Sequence, residues 1–109
     1  MYLDNKEKSI LGEFRRRIVL KFPNEVAKIL IFGSKARGDA DSESDIDILV
    51  VTRSDDRNIS RIIRYIGYEL EIENTIIMSI QVFPEKYYNY LLSIPTQFIS
   101  NIEKESIPL

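Results

Sequence analysis

Residues 29–51 read ILIFGSKARGDADSESDIDILVV, and the alternation of apolar and polar blocks in this stretch decides the fold. Val26 to Phe32 (VAKILIF) is a short apolar run stopped by Gly33, the pattern of a buried strand. Ile46 to Val51 (IDILVV) is a second strand, β-branched and interrupted only by Asp47. Between them, Gly33 to Ser44 is polar, contains Gly33 and Gly38, and reads as a turn-rich connection. The side-chain period of a strand puts Asp45 and Asp47 on one side, roughly 6.6 Å apart along the chain.

Working outward, residues from about Lys6 to Leu20 space Ile10, Leu11, Phe14, Ile18 and Val19 as a helix would, and Phe22-Pro23 ends the segment. On the other side, Asp55 or Asp56 caps a helix that buries Ile59, Ile62, Ile63, Ile66 and Leu70. Thr75 to Phe83 alternates as a third strand. Pro84-Glu85 opens a helix carrying Tyr87, Tyr88 and Leu91. A last helix runs from after Pro95 to about Glu105, with Phe98, Ile99 and Ile102 inward. The order α, β, β, α, β, α, α predicts an α+β fold, a small mixed sheet flanked by helices. With 109 residues and no repeat or linker, residues 1–109 are expected to form one domain.

Composition narrows the chemistry. The chain has no cysteine, which removes disulfides, zinc–thiolate sites and thiol catalysis. It also has no histidine, so a Ser-His-Asp triad is impossible and any catalysis runs on carboxylates, hydroxyls, Lys, Arg or bound metal. A net charge of −2 argues against nucleic acid as the main partner. Basic residues do cluster locally, as Arg15-Arg16-Arg17 and as Arg57, Arg61 and Arg64 on neighbouring turns of one helix. No apolar run is long enough to span a bilayer, and the polar start after Met1 has no signal-peptide pattern; a cytoplasmic location is expected.

A carboxylate inside an apolar strand is costly unless something compensates it. Asp45 and Asp47 together can hold one or two hard divalent ions, magnesium or manganese, through oxygen ligands. Equally, Asp45 could cap a turn and Asp47 could meet backbone donors. Gly33-Ser34 ends the preceding strand where backbone N–H groups and a hydroxyl converge, and glycine lets phosphate oxygens come close. Lys35 and Arg37 could add charge-assisted contacts to phosphate. The Gly-Lys-Ser/Thr element of a Walker A loop is missing.

Taken together, Gly33-Ser34, ten intervening residues and Asp45-x-Asp47 resemble the signature of the DNA polymerase beta-like nucleotidyltransferase superfamily. The longer string FGSKARGDADSESDIDILV is similar to that of its minimal, MNT-type members, with Phe32, Gly33, Ser34, Ala36, Arg37, Gly38, Ala40, Ser44, Asp45 and Asp47 in place. The closing stretch PTQFISNIEKESIPL also looks like the tail of this group. The resemblance implies a polymerase beta-like nucleotidyltransferase fold and transfer of a nucleoside monophosphate, AMP from ATP or another triphosphate, to a hydroxyl. It implies Mg2+ on Asp45 and Asp47, and the triphosphate held by Gly33 and Ser34, with Arg37 beside them. Such proteins commonly pair with a HEPN protein, and in some pairs they are antitoxins that add AMP to a tyrosine of the HEPN toxin.

One departure stands out. Superfamily members usually place a third carboxylate on the next strand, but TIIMSIQVF has none, and Ser79 and Gln81 stand where an Asp is expected. Glu71 and Glu73 lie just before that strand, and alternation counted back from Ser79 lets either reach the site, with Glu73 carried as the catalytic candidate. Two readings therefore stand: an active AMP transferase, or a catalytically weak antitoxin or nucleotide-binding module that acts by partner contact. A homo-oligomer is also compatible, through the apolar, tyrosine-rich C-terminal part.

Overall fold

The computed structural model describes residues 3–38 and 45–109. Ala40 and Ser44 of the motif lie outside the described residues, as does the second half of the Gly33 to Ser44 connection. Helix α1 (Asn5–Lys21) leads into strand β1 (Val26–Phe32), a short helix α2 (Gly33–Arg37), strand β2 (Ile46–Thr52) and helix α3 (Arg57–Asn74). Strand β3 (Met78–Pro84), helices α4 (Glu85–Leu92) and α5 (Gln97–Glu105) and the two-residue strand β4 (Ile107–Pro108) complete the order.

The sheet runs β3-β2-β1-β4. β1 is antiparallel to both β2 and β4, whereas β2 and β3 are parallel because α3 carries the chain back between them. It is the mixed sheet flanked by helices that the residue pattern predicts. Helices cover both faces. Ile46, Ile48 and Val50 of β2 join Leu11, Phe14 and Ile18 of α1, Ile63 and Leu70 of α3, and Met78 and Val82 of β3 in the larger core. The alternate residues Leu49 and Val51 pack on the other face with Leu30, Tyr88 of α4 and Ile102 of α5. A central strand buried on both sides explains why IDILVV is apolar almost throughout.

Three differences from the sequence reading have physical reasons. Gly33–Arg37 is helical rather than open turn, because the chain leaves β1 at a positive φ of 74° at Gly33 and winds at once. The third strand begins at Met78, not Thr75: Thr75 adopts left-handed geometry (φ 54°) and its N–H still donates to Glu71 O, closing α3. β4 is too short to register as a pattern and exists through its pairing with Leu30 and Ile31. Of the two expected cap candidates at α3, Asp56 is the cap and accepts from Asn58 N; at α5 Thr96 accepts from Ile99 N. Among the described residues no helix is long and apolar enough to cross a membrane.

Candidate active site

The face of β2 that carries Leu49 and Val51 also carries Asp47, one residue from the strand's start. Asp45 immediately precedes the strand and is exposed, while Asp47 is half-buried. Across the antiparallel pair, Asp47 lies opposite Phe32, the last residue of β1. The chain then turns at Gly33 directly over the carboxylate: a Cβ at Gly33 would fall on Asp47 Oδ2. Glycine is thus required twice at this position, by the positive φ and by the close approach. Phe32 is braced from below by an edge-to-face contact with Phe98 of α5, ring centroids 5.8 Å apart.

Helix α2 starts at this contact. Its N-cap, Phe32, has no side chain that could cap the first-turn amides, and Ser34, its second residue, is half-buried. Arg37, at the end of α2, approaches Glu105 of α5 at 3.4 Å and still exerts its positive charge on Asp47. Asp47 nonetheless holds its proton more tightly than an ordinary Asp. Burial is the main cause and the neighbouring Asp45 charge the second, with Arg37 opposing both. A cation placed between the two carboxylates would relieve both causes, so the donor set fits a hard divalent ion. Among the described residues no group of three or more acidic ligands forms.

The structure brings Gly33, Ser34, Arg37, Asp45 and Asp47 to one end of one sheet face. It does not bring Glu73 there. α3 packs on the opposite face, in the core with α1. Glu73 reaches Arg17 of α1 at 3.3 Å, and Glu71 accepts from the Met78 backbone N–H at 2.8 Å. Alternation counted back from Ser79 cannot place either glutamate, because both lie in the helix. Ser79 itself is the register partner of Asp47 in the parallel β2–β3 pair, on the same face and exposed. Of the two residues expected at the site of a third acid, Ser79 is the one in register with Asp47, and Gln81 pairs with Leu49.

Lys35 also differs from the sequence reading. It is buried, and its Nζ meets Glu7 Oε2 at 2.9 Å rather than facing the phosphate side. Glu7 in turn accepts from Asp4 N at 3.0 Å in a capping box at the start of α1. The Asp4-x-x-Glu7 spacing was present in the sequence as a helix-start signal, but its second role, anchoring α2, needed the tertiary contact.

Comparisons with known proteins agree with this geometry. The nucleotidyltransferase domain family matches residues 11–108, nearly the whole chain. Two proteins of Methanocaldococcus jannaschii, provisionally named protein adenylyltransferases MJ0604 and MJ0141, are similar at 51% identity over 47 residues and 39% over 44 residues. Those stretches are 43% and 40% of this chain, and 46% and 44% of the relatives, so less than half of each relative is matched. A crystal structure of a provisionally named nucleotidyltransferase from Sulfolobus solfataricus shares the fold at TM-score 0.58 and 24% identity, covering 92% of this chain and 76% of that one. A toxin–antitoxin crystal structure with AMP-PNP does so at TM-score 0.58 and 20% identity, covering 96% and 72%. With the Gly33-Ser34 turn folded onto Asp47 and the match running from end to end of the sheet, the chain belongs to the nucleotidyltransferase domain family.

Proposed function

We propose that the chain transfers AMP from ATP to a hydroxyl of an acceptor protein, with Asp45 and Asp47 holding Mg2+ and the start of α2 holding the triphosphate. The observation that carries this reading is the Gly33–Asp47 contact, which brings the start of α2 within a methyl group's reach of the Asp47 carboxylate. The provisional names of the M. jannaschii relatives point to a protein acceptor, and the AMP-PNP bound in the toxin–antitoxin neighbour points to an adenine nucleotide. A HEPN-type toxin, modified on a tyrosine, is the acceptor that best fits that neighbour and the MNT-type motif.

In such a reaction the acceptor oxygen bonds to the α-phosphorus, the bond from that phosphorus to the bridging β-oxygen breaks, and pyrophosphate leaves. The hydroxyl proton passes to water or a carboxylate. A bound divalent ion supplies charge neutralisation on the phosphates and lowers the barrier to the developing alkoxide. The chain's own residues orient. Gly33 and Ser34 present donors to the phosphate oxygens, Arg37 adds positive charge at the rim, and Asp45 and Asp47 fix the reacting group against the sheet end. Glu73, held by Arg17 on the other face, anchors α3 to α1 in this reading.

A second reading has one observation in its favour. Ser79 occupies the register position opposite Asp47, and a neutral hydroxyl neither ligates a cation as a carboxylate does nor accepts the acceptor's proton. On that reading the domain binds nucleotide and neutralises its partner by contact. The deciding experiment incubates the chain with ATP labelled at the α-phosphate, Mg2+ and the product of the neighbouring gene, beside Asp45→Ala/Asp47→Ala. Label on the partner that disappears in the variant supports the transferase. Tight partner binding without label, unchanged in the variant, supports the binding module.

A further inference from the structure

Helix α3 is apolar on two sides. Its inner side carries Ile63, Gly67 and Leu70, and a Cβ at Gly67 would fall on Ile80 Cδ1, so the helix lies tight on β3. That contact fixes its rotation. At 100° per residue, Arg61, Tyr65, Tyr68 and Ile72 share the outer side at spacings of four, three and four residues. Tyr65 is 61% exposed, Tyr68 51% and Ile72 83%. A groove of about 370 Å³ runs alongside, lined by Lys21, Arg61, Ile62, Tyr65, Ile66 and Glu69.

The charges on this helix are segregated. Arg57, Arg61 and Arg64 occupy its first half, and Glu69, Glu71 and Glu73 its second. No acid stands in the first turn and no base in the last, the reverse of what the helix dipole favours. The arrangement therefore works against the isolated helix. Arg17 of α1 reaches Glu69 and Glu73 at 4.0 and 3.3 Å, yet both carboxylates stay half-exposed. A second helix with the same charge order, laid antiparallel, brings the basic first half of each level with the acidic second half of the other and opposes the two dipoles. Parallel packing would set arginine against arginine.

We propose that the outer side of α3 is the contact between two copies of this chain, packed antiparallel about a two-fold axis between Tyr65 and Tyr68. Each contact then occurs twice, as a closed isologous dimer requires. Tyr65 and Tyr68 fill the centre, and Ile72 comes level with Arg61 of the partner subunit. The catalytic face of the sheet, on the far side of β2 and β3, stays open in both copies. The inference does not depend on the transfer reaction.

Sedimentation velocity of the full chain tests it across micromolar to submillimolar concentration. The wild type is expected at twice the monomer mass of 12.7 kDa. Tyr68→Glu/Ile72→Glu, both outward-facing, is expected to sediment as a monomer with its circular dichroism unchanged. Two further variants make the register testable. Arg61→Glu/Arg64→Glu makes the helix predominantly acidic, with Arg57 remaining, and Glu69→Lys/Glu73→Lys makes it predominantly basic, with Glu71 remaining. Each alone is expected to be monomeric, and an equimolar mixture is expected to form a heterodimer. A monomeric wild type, a dimer that survives Tyr68→Glu/Ile72→Glu, or a mixture that stays monomeric would each overturn the proposal. A wild type that stays monomeric but binds an unlike protein through Tyr68 and Ile72 assigns this face to that protein instead.

Discussion

Asp47 is where stability and function pull apart. Burial and the Asp45 charge raise its folded-state pKa above the ordinary 3.8. The folded chain therefore binds more protons than the unfolded one between that value and the raised one. Stability falls as pH rises through this window and stays lower above it. Asp47→Asn is expected to unfold at higher temperature than the wild type at neutral pH without metal. The gain is at most ~1 kcal/mol, because the half-buried position is partly screened, and it vanishes in acid. The same variant is expected to lose transfer activity by at least ~100-fold. Thermal unfolding across pH and the α-labelled transfer assay check the two arms. Gly33→Ala brings a methyl onto Asp47 Oδ2 at a φ of 74°. It is expected to cost about 1–3 kcal/mol in denaturant unfolding and to weaken ATP binding in the same preparation. Ser79→Asp, which supplies a carboxylate in register with Asp47, is expected to tighten Mg2+ binding by calorimetry. If it leaves Mg2+ affinity unchanged, the position is not part of the site. The pair Asp45/Asp47 and the Gly33-Ser34 turn were legible because each breaks a local rule: an acid in an apolar strand, and a glycine stop at a strand end. Glu73 was misplaced because no residue pattern tells which sheet face a helix will cover.

At the level of elements, the link between α1 and α2 is the one most open to test. Lys35 and Glu7 form a buried pair, and removing Glu7 takes a carboxylate from beside a buried ammonium. Glu7→Ala is expected to lose about 3 kcal/mol by urea unfolding, more than its place at a helix start would suggest. Part of that cost is the capping box with Asp4. Asp4→Ala isolates this part and is expected to cost about 1 kcal/mol. The long elements were readable because α1 and α3 repeat a helical apolar spacing over several turns and β1 and β2 are continuous apolar runs. α2 and β4 were not. The five residues Gly33–Arg37 carry too few apolar positions to distinguish helix from turn, and two residues carry no period at all. Thr75 to Ile77 was assigned to the strand because Thr75 to Phe83 alternates. The capping hydrogen bond from Thr75 to Glu71 outweighs that preference.

The whole molecule is held at its edges by short pieces. β4 closes the β1 side of the sheet through Leu30 and Ile31, and Leu109 N donates to Ile29 O at 2.9 Å. Ending the chain after Glu105 is expected to lower stability by about 1–2 kcal/mol, from lost hydrogen bonds and the packing of Ile107 and Leu109. It also bares the β1 edge, so concentration-dependent aggregation by light scattering is the companion readout. The sheet has a further consequence. Because β2 sends Ile48 and Val50 one way and Asp47 the other, it works as a partition between two selective pressures. On the proposed function, substitutions on the outer side of α3 change what the chain touches there while leaving the Asp47 face of the sheet unaltered. A library randomised at Arg61, Tyr65, Tyr68 and Ile72 should therefore yield new binding preferences far more often than new catalytic ones.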